Sequence, residues 1–213
     1  MTEQERNELM RIVRELSYEE REVTLASGRK SNFYFDGKQT ALHAQGGLLV
    51  GKAFWAIVKT FDGPVHGVGG LTMGADPIAT ATSIAANLEG SPVHAFIIRK
   101  EPKGHGTGQW LEGRKNLPPG SRVVIVEDVT TTGGSSMKAV DRAQQEGLDV
   151  IGIITLVDRE EGARENIEGQ GQSLEVDIRR GLGHHYHLKR ARGQQESHHQ
   201  QEYRQRLPYT QKR

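Results

Sequence analysis

Val123-Val124-Ile125-Val126-Glu127-Asp128-Val129-Thr130-Thr131-Thr132-Gly133-Gly134-Ser135-Ser136 is the stretch on which the reading turns. Four successive β-branched residues are what a strand covered on both faces requires, whereas a half-solvated strand alternates. The run ends in two acids, passes through hydroxyls and glycines, and enters a helical pattern over 135–146. Glycines let the backbone turn sharply and approach a ligand, and the free N–H groups at a helix start favour a phosphate. Thr130, Thr131, Thr132 and Ser135 add hydroxyl donors. Glu127 and Asp128, one step before that cradle, are placed to accept hydrogen bonds from sugar hydroxyls or to face a Mg²⁺ ion. A phosphate with a diol near it describes a ribose 5-phosphate. An ordinary capped helix would explain the hydroxyls and glycines, but not two acids at a buried strand's end, where unpaired charge is costly. The spacing is neither a P-loop nor GxGxxG.

Outward from this core, apolar spacing predicts helices over 5–16, 44–59 and 77–88, the last with Pro77 in its first turn. Strands are expected at 33–35, at 65–68 ending in Gly69-Gly70, at 93–98 and at 150–157. Alternation of continuous apolar strands with helices gives an α/β fold with a Rossmann-like parallel sheet flanked by helices. Ligands of such sheets sit beyond the carboxyl ends of the strands.

A second constellation, Arg99-Lys100-Glu101-Pro102-Lys103-Gly104-His105-Gly106-Thr107-Gly108, also follows a strand. Three cations and a histidine on a glycine-rich segment suit a departing pyrophosphate: donors neutralise charge as the bond breaks, on a lid able to exclude water. By itself the run would read as a solvated loop.

Together, Arg99-Lys100-x-x-Lys103-x-His105-Gly106 and the Glu-Asp loop resemble the orotate phosphoribosyltransferases. Ser27-Gly28-Arg29-Lys30-Ser31-Asn32-Phe33-Tyr34-Phe35 and Asp158-Arg159-Glu160-Glu161-Gly162 are similar to two further stretches of that family, and the resemblance runs over 17–163. It implies the type I phosphoribosyltransferase fold with a small N-terminal hood formed within 1–40. It also implies transfer of the phosphoribosyl group from phosphoribosyl diphosphate to orotate, in pyrimidine biosynthesis. Arg99, Lys100, Lys103 and His105 would contact pyrophosphate, and Glu127 and Asp128 the ribose hydroxyls. Val129, Thr130, Thr131, Thr132, Gly133, Gly134 and Ser135 would wrap the 5-phosphate, and Thr131 and Arg159 would bind orotate. Lys103, His105 and Asp128 are then the expected catalytic residues. Mg²⁺ would arrive mainly on the diphosphate donor, with no metal site of the protein's own, and the lid would be shared within a homodimer.

Arg159 also makes sense independently, because a planar guanidinium holds a carboxylate through two parallel hydrogen bonds; the plainer reading is a surface salt bridge with Glu160 or Glu161. There are departures from the family. Ala26 stands where some members carry lysine, and the loop 69–76 lacks a lysine found in others. Asp76 could reach a metal-bound water or cap the helix before Pro77. The aromatic triplet 33–35 could cover the orotate ring or pack in the core.

Composition bounds the rest. The 213 residues include no cysteine, which excludes disulfides, thiolate metal sites and cysteine nucleophiles. No apolar run is long enough to span a bilayer and the start is polar, so a cytoplasmic protein without membrane contact is expected. The last 35 residues hold nine Lys and Arg against two acids, five of nine histidines, and no Val, Ile or Phe. Such a segment cannot offset its ordering entropy, so 1–178 is read as the phosphoribosyltransferase domain and 179–213 as a basic, disordered tail. Its histidines could take adventitious metal. Rival readings are a purine-base phosphoribosyltransferase and a regulator that binds nucleic acid through the tail. The tail lacks a recognisable reading motif, so nucleic acid is not an expected partner.

Overall fold

The computed structural model describes residues 1–24, 30–102, 109–180 and 186–188, with residues 179–180 and 186–188 followed by their backbone alone. The chain opens with helix α1 (Glu3–Ile12), started by a reciprocal cap in which the Glu5 N–H donates to Thr2 Oγ1 and the Thr2 N–H to Glu5 Oε2. A π turn (Val13–Ser17) continues it, so the helical pattern expected over 5–16 is one α-helix with a widened last turn. The hood is two short antiparallel pairs: β1 (Tyr18–Glu19) with β4 (Tyr34–Phe35), and β2 (Val23–Thr24) with β3 (Lys30–Ser31). Helices α2 (Gly37–Ala41) and α3 (Ala44–Val58) lead into the main sheet.

That sheet contains β5 (Gly67–Leu71), β6 (His94–Ile98), β7 (Leu111–Glu112), β8 (Arg122–Thr130), β9 (Asp149–Asp158), β10 (Leu174–Arg180) and β11 (Tyr186–Leu188). Between them run α4 (Ala75–Leu88), α5 (Gly134–Gln145) and α6 (Ala163–Glu168). The spatial order is β11-β10-β9-β8-β5-β6-β7, parallel except for the edge strands β11 and β7. From β5 the chain builds outward to β6 and β7, then returns to lay β8 on the other side. The order therefore reverses between β5 and β8, which is where such sheets open a ligand crevice.

Both faces of the sheet are covered. Val124, Val126 and Ile154 pack with residues of α1, α3 and α4, while Val123, Ile125 and Ile153 pack with α5 and α6. This is the physical reason the central strands read as unbroken β-branched runs. Two boundaries differ from the sequence reading. Gly69 and Gly70 lie within β5, because a Cβ there would fall 2.2 Å from Phe96 O and Val126 O respectively; the neighbouring strands demand glycine, and the chain does not turn there. Strand β8 runs on to Thr130, so Glu127 and Asp128 sit inside it, Glu127 opposite Thr155.

Strand β10 extends two residues past 178, and β11 pairs with it within the span read as tail. The rest of that expected tail, 181–185 and 189–213, lies outside the described residues. Among the described residues no helix is long and apolar enough to cross a membrane.

On β10, Asp177 is fully buried, with Arg6 of α1 at 3.6 Å and neither carboxylate oxygen hydrogen-bonded. Burial raises its pKa from 3.8 to about 6, against the pull of Arg6. A raised carboxyl means that the folded state holds the proton more tightly, so stability falls as pH climbs from 3.8 to about 6. Asp177→Asn removes that loss. Thermal unfolding should find the variant more stable than the parent at pH 8 by up to about 3 kcal/mol, with parity below pH ~4; a variant less stable at pH 8 would contradict the assignment.

Candidate active site

The crevice between β5 and β8 is floored by the turn from β8 into α5. Gly133 adopts φ +79°, a left-handed conformation costly for other residues, and a Cβ there would lie 2.9 Å from Ile167 Cδ1. No side chain caps α5, which leaves its first amides available to an anion. The Asn166 amide donates to Thr132 O at 2.8 Å and ties the turn to α6. Of the expected cradle, Val129 and Thr130 belong to the strand, Thr131 is half-buried in the turn, and Thr132, Gly134 and Ser135 are exposed. The Thr130 hydroxyl contacts Asp158 Oδ1 at 3.4 Å. Ser135 turns its hydroxyl inward instead, donating to Glu127 Oε2 at 2.9 Å, with Ser136 at 3.3 Å from the same oxygen.

Glu127 is buried, and loss of solvent, reinforced by the adjacent Asp128 carboxylate, pushes its pKa up. Burial also raises Asp128, opposed by the Lys38 ammonium, whose Nζ stands 3.9 Å from Asp128 Oδ2. Two glycines hold this carboxylate in place. A Cβ on Gly37 would meet Asp128 Cβ at 2.8 Å, and one on Gly74 would meet Asp128 Oδ1 at 2.3 Å. Gly74 is the N-cap of α4. Asp76 is therefore not the cap but a first-turn residue. Its Oδ2 accepts the Thr72 hydroxyl at 2.7 Å, and its Oδ1 is buried without a hydrogen-bond partner.

Arg159 is 4% exposed, so the ion pair of the plainer reading is present with Glu161 but lies buried and not at the surface. Its Nε donates to Glu161 Oε1 at 2.8 Å and its Nη2 to Ser31 Oγ at 3.1 Å, and the guanidinium lies over the Phe33 ring at 4.3 Å. Phe33 and Phe35 are core residues, and Tyr34 stacks under Arg21. The hood and the end of β9 thus meet at this arginine, beside Thr130, whose carbonyl accepts the Arg159 N–H.

Arg99, just after β6, pairs with Glu112 at 2.8 Å, and its N–H donates to Trp110 O at 2.8 Å. Trp110 in turn lies 3.3 Å beneath the Arg142 guanidinium of α5, and Lys100 is exposed. Among the described residues, Arg99 and Lys100 make no hydrogen bond or ion pair with the carboxyl pair. Lys103 and His105, like Ala26 and 27–29, lie outside the described residues. The sequence reading missed Lys38 and gave Gly37, Gly74 and Ser136 no part in holding the two carboxyls. Nothing in their local pattern separates them from an ordinary capped helix or turn.

The pattern of the Phosphoribosyl transferase domain family matches residues 38–179. Orotate phosphoribosyltransferase of Aquifex aeolicus is 45% identical over 173 residues, spanning 80% of this chain and 92% of that one. The chain belongs to the orotate phosphoribosyltransferase family. The family member from Nostoc sp. is also 45% identical, over 80% of this chain and 81% of its own. Among solved structures, orotate phosphoribosyltransferase of Mycobacterium tuberculosis in complex with Fe(III) dicitrate aligns with TM-score 0.70 and 41% identity, over 81% of this chain and 94% of that one. The same enzyme in complex with 5-phospho-α-D-ribosyl 1-diphosphate gives TM-score 0.67 and 39% identity, over 81% and 94%. The type I phosphoribosyltransferase fold and the orotate branch, expected from the motifs, are both borne out.

Gly74→Ala tests how the crevice is built. The new Cβ displaces only the end of the Asp128 side chain, so the thermal midpoint should stay within about 3 °C of the parent. Phosphoribosyl transfer should fall by about tenfold or more, as for a lost contact made by a buried carboxylate. Unchanged activity with unchanged stability would show that Asp128 need not stand where it does.

Proposed function

We propose that this crevice transfers the phosphoribosyl group of phosphoribosyl diphosphate to N1 of orotate, releasing orotidine 5′-phosphate and diphosphate, the activity for which the family is named. The observation that carries this reading is the buried Glu127 with the half-buried Asp128 beside it, one turn before the uncapped start of α5, at the point where the strand order reverses. The 5-phosphate sits on the amides of the 131–135 turn and the ribose hydroxyls on the two carboxyls. Arg159, with Thr131 nearby, receives the orotate carboxylate, and the Arg159 fork suits it in number and plane of donors. Arg99, Lys100, Lys103 and His105 take the leaving diphosphate.

The chemistry asks for no protein nucleophile. Positive charge develops at C1 of the ribose as the diphosphate departs, so rate comes from aligning the two substrates and from cations on the leaving group. Glu127, held by Ser135 and Ser136 and biased towards its protonated form, can donate to a ribose oxygen while Asp128 accepts from another. Mg²⁺ enters as part of the donor complex and lowers the charge on the diphosphate. The buried, unpartnered Oδ1 of Asp76 is an oxygen of the kind that holds water on such an ion, so the residues present fit it. The enzyme works as a cytoplasmic homodimer whose lid, carrying Lys103 and His105, reaches the partner subunit's crevice.

Orotate absorbance should fall when donor and Mg²⁺ are added, with no comparable consumption of hypoxanthine, guanine or uracil. Consumption of a purine instead would overturn the acceptor assignment. Arg159→Lys keeps the charge but loses the fork, and should raise the KM for orotate about tenfold while leaving that for the donor within about twofold. Lys103→Ala should lower kcat well beyond about threefold at saturating donor; a smaller loss would remove the lysine from the departing diphosphate.

A further inference from the structure

Lys38 has no part in the scheme above, yet it is the only cation paired with either carboxyl of the crevice among the described residues. Asp36 sets its position twice over. The Asp36 carboxylate caps α2 by accepting the Lys38 N–H at 3.1 Å, and it holds the Lys38 ammonium at 2.5 Å. Gly37 and Gly74 press on opposite parts of Asp128, so the start of α2 and the start of α4 meet across that side chain. Lys38 therefore stands beside the 72–74 turn that links β5 to α4, and 69–76 contain no Lys, Arg or His.

Charge decides what such a cation is for. Asp36, Asp76, Glu127 and Asp128 crowd this end of the sheet, and a diphosphate ester brings further negative charge into it. A half-buried Asp36–Lys38 pair held at the rim of the crevice contributes modestly by itself. A lysine on a flexible stem, about a third exposed, can instead turn its ammonium from Asp36 to an incoming phosphate oxygen without moving the backbone.

Resting on the function proposed above, we propose that Lys38 is a further substrate-binding residue, whose ammonium contacts the diphosphate of the donor at the crevice mouth between α2 and the 72–74 turn. The test is calorimetric, with the full chain and no orotate present, titrating phosphoribosyl diphosphate with Mg²⁺ and, separately, ribose 5-phosphate, which lacks the diphosphate. Lys38→Met should weaken donor binding about tenfold or more, the size of a lost charge-assisted contact, and leave ribose 5-phosphate within about twofold. Lys38→Arg should recover most of the donor affinity, and thermal unfolding of both variants confirms the fold. Donor binding by Lys38→Met within about twofold of the parent overturns the proposal. So does an equal loss for both ligands, which would mark an effect exerted through Asp128. A parent that binds donor but never consumes orotate sinks the acceptor assignment and leaves the Lys38 comparison readable; a parent that binds no donor overturns both.

Discussion

Two carboxyl groups on successive residues of a strand covered on both faces must find partners, because a buried unpaired charge costs several kcal/mol. Glu127 meets the need with two serine hydroxyls from the first turn of α5 and with a pKa biased towards the neutral acid. Asp128 meets it with Lys38 and a pocket made of two glycines. Neither solution is complete in the free protein. On the function proposed, a sugar bearing two hydroxyls would complete both.

The same requirement links fold and site. The reversal of strand order places the carboxyl ends of β5 and β8 side by side, so the loop after one and the turn after the other share a crevice. Asn166 and Ile167 of α6 brace the turn from behind, and Arg159 pins the hood to the end of β9. In the function proposed, phosphate, ribose and base would follow one another from α5 towards the hood.

What could be read from the residues alone follows this physics. The 123–126 run announces a doubly covered strand, and the acids, hydroxyls and glycines after it announce the strand–turn–helix passage that the structure shows. The pairing of Arg159 with Glu161 is legible from their spacing, though nothing in the chain foretells its bed on Phe33. Gly69 and Gly70 mislead because a glycine needed for close strand packing looks the same as one needed for a turn. Strand β10 hides behind Asp177, a buried charge that breaks the expected apolar signature. Lys38, Gly37 and Gly74 are invisible because their meaning lies in contacts between α2, α4 and β8 that no local spacing encodes.

The central claim is that the main chain of the β8–α5 turn holds a sugar phosphate while Glu127 and Asp128 hold its sugar. A crystal structure of the protein soaked with phosphoribosyl diphosphate and Mg²⁺ tests it most directly. The account predicts phosphate oxygens on the amides of 132–135 and both ribose hydroxyls on the two carboxyls. Donor density elsewhere on the molecule, with this turn empty, would contradict it.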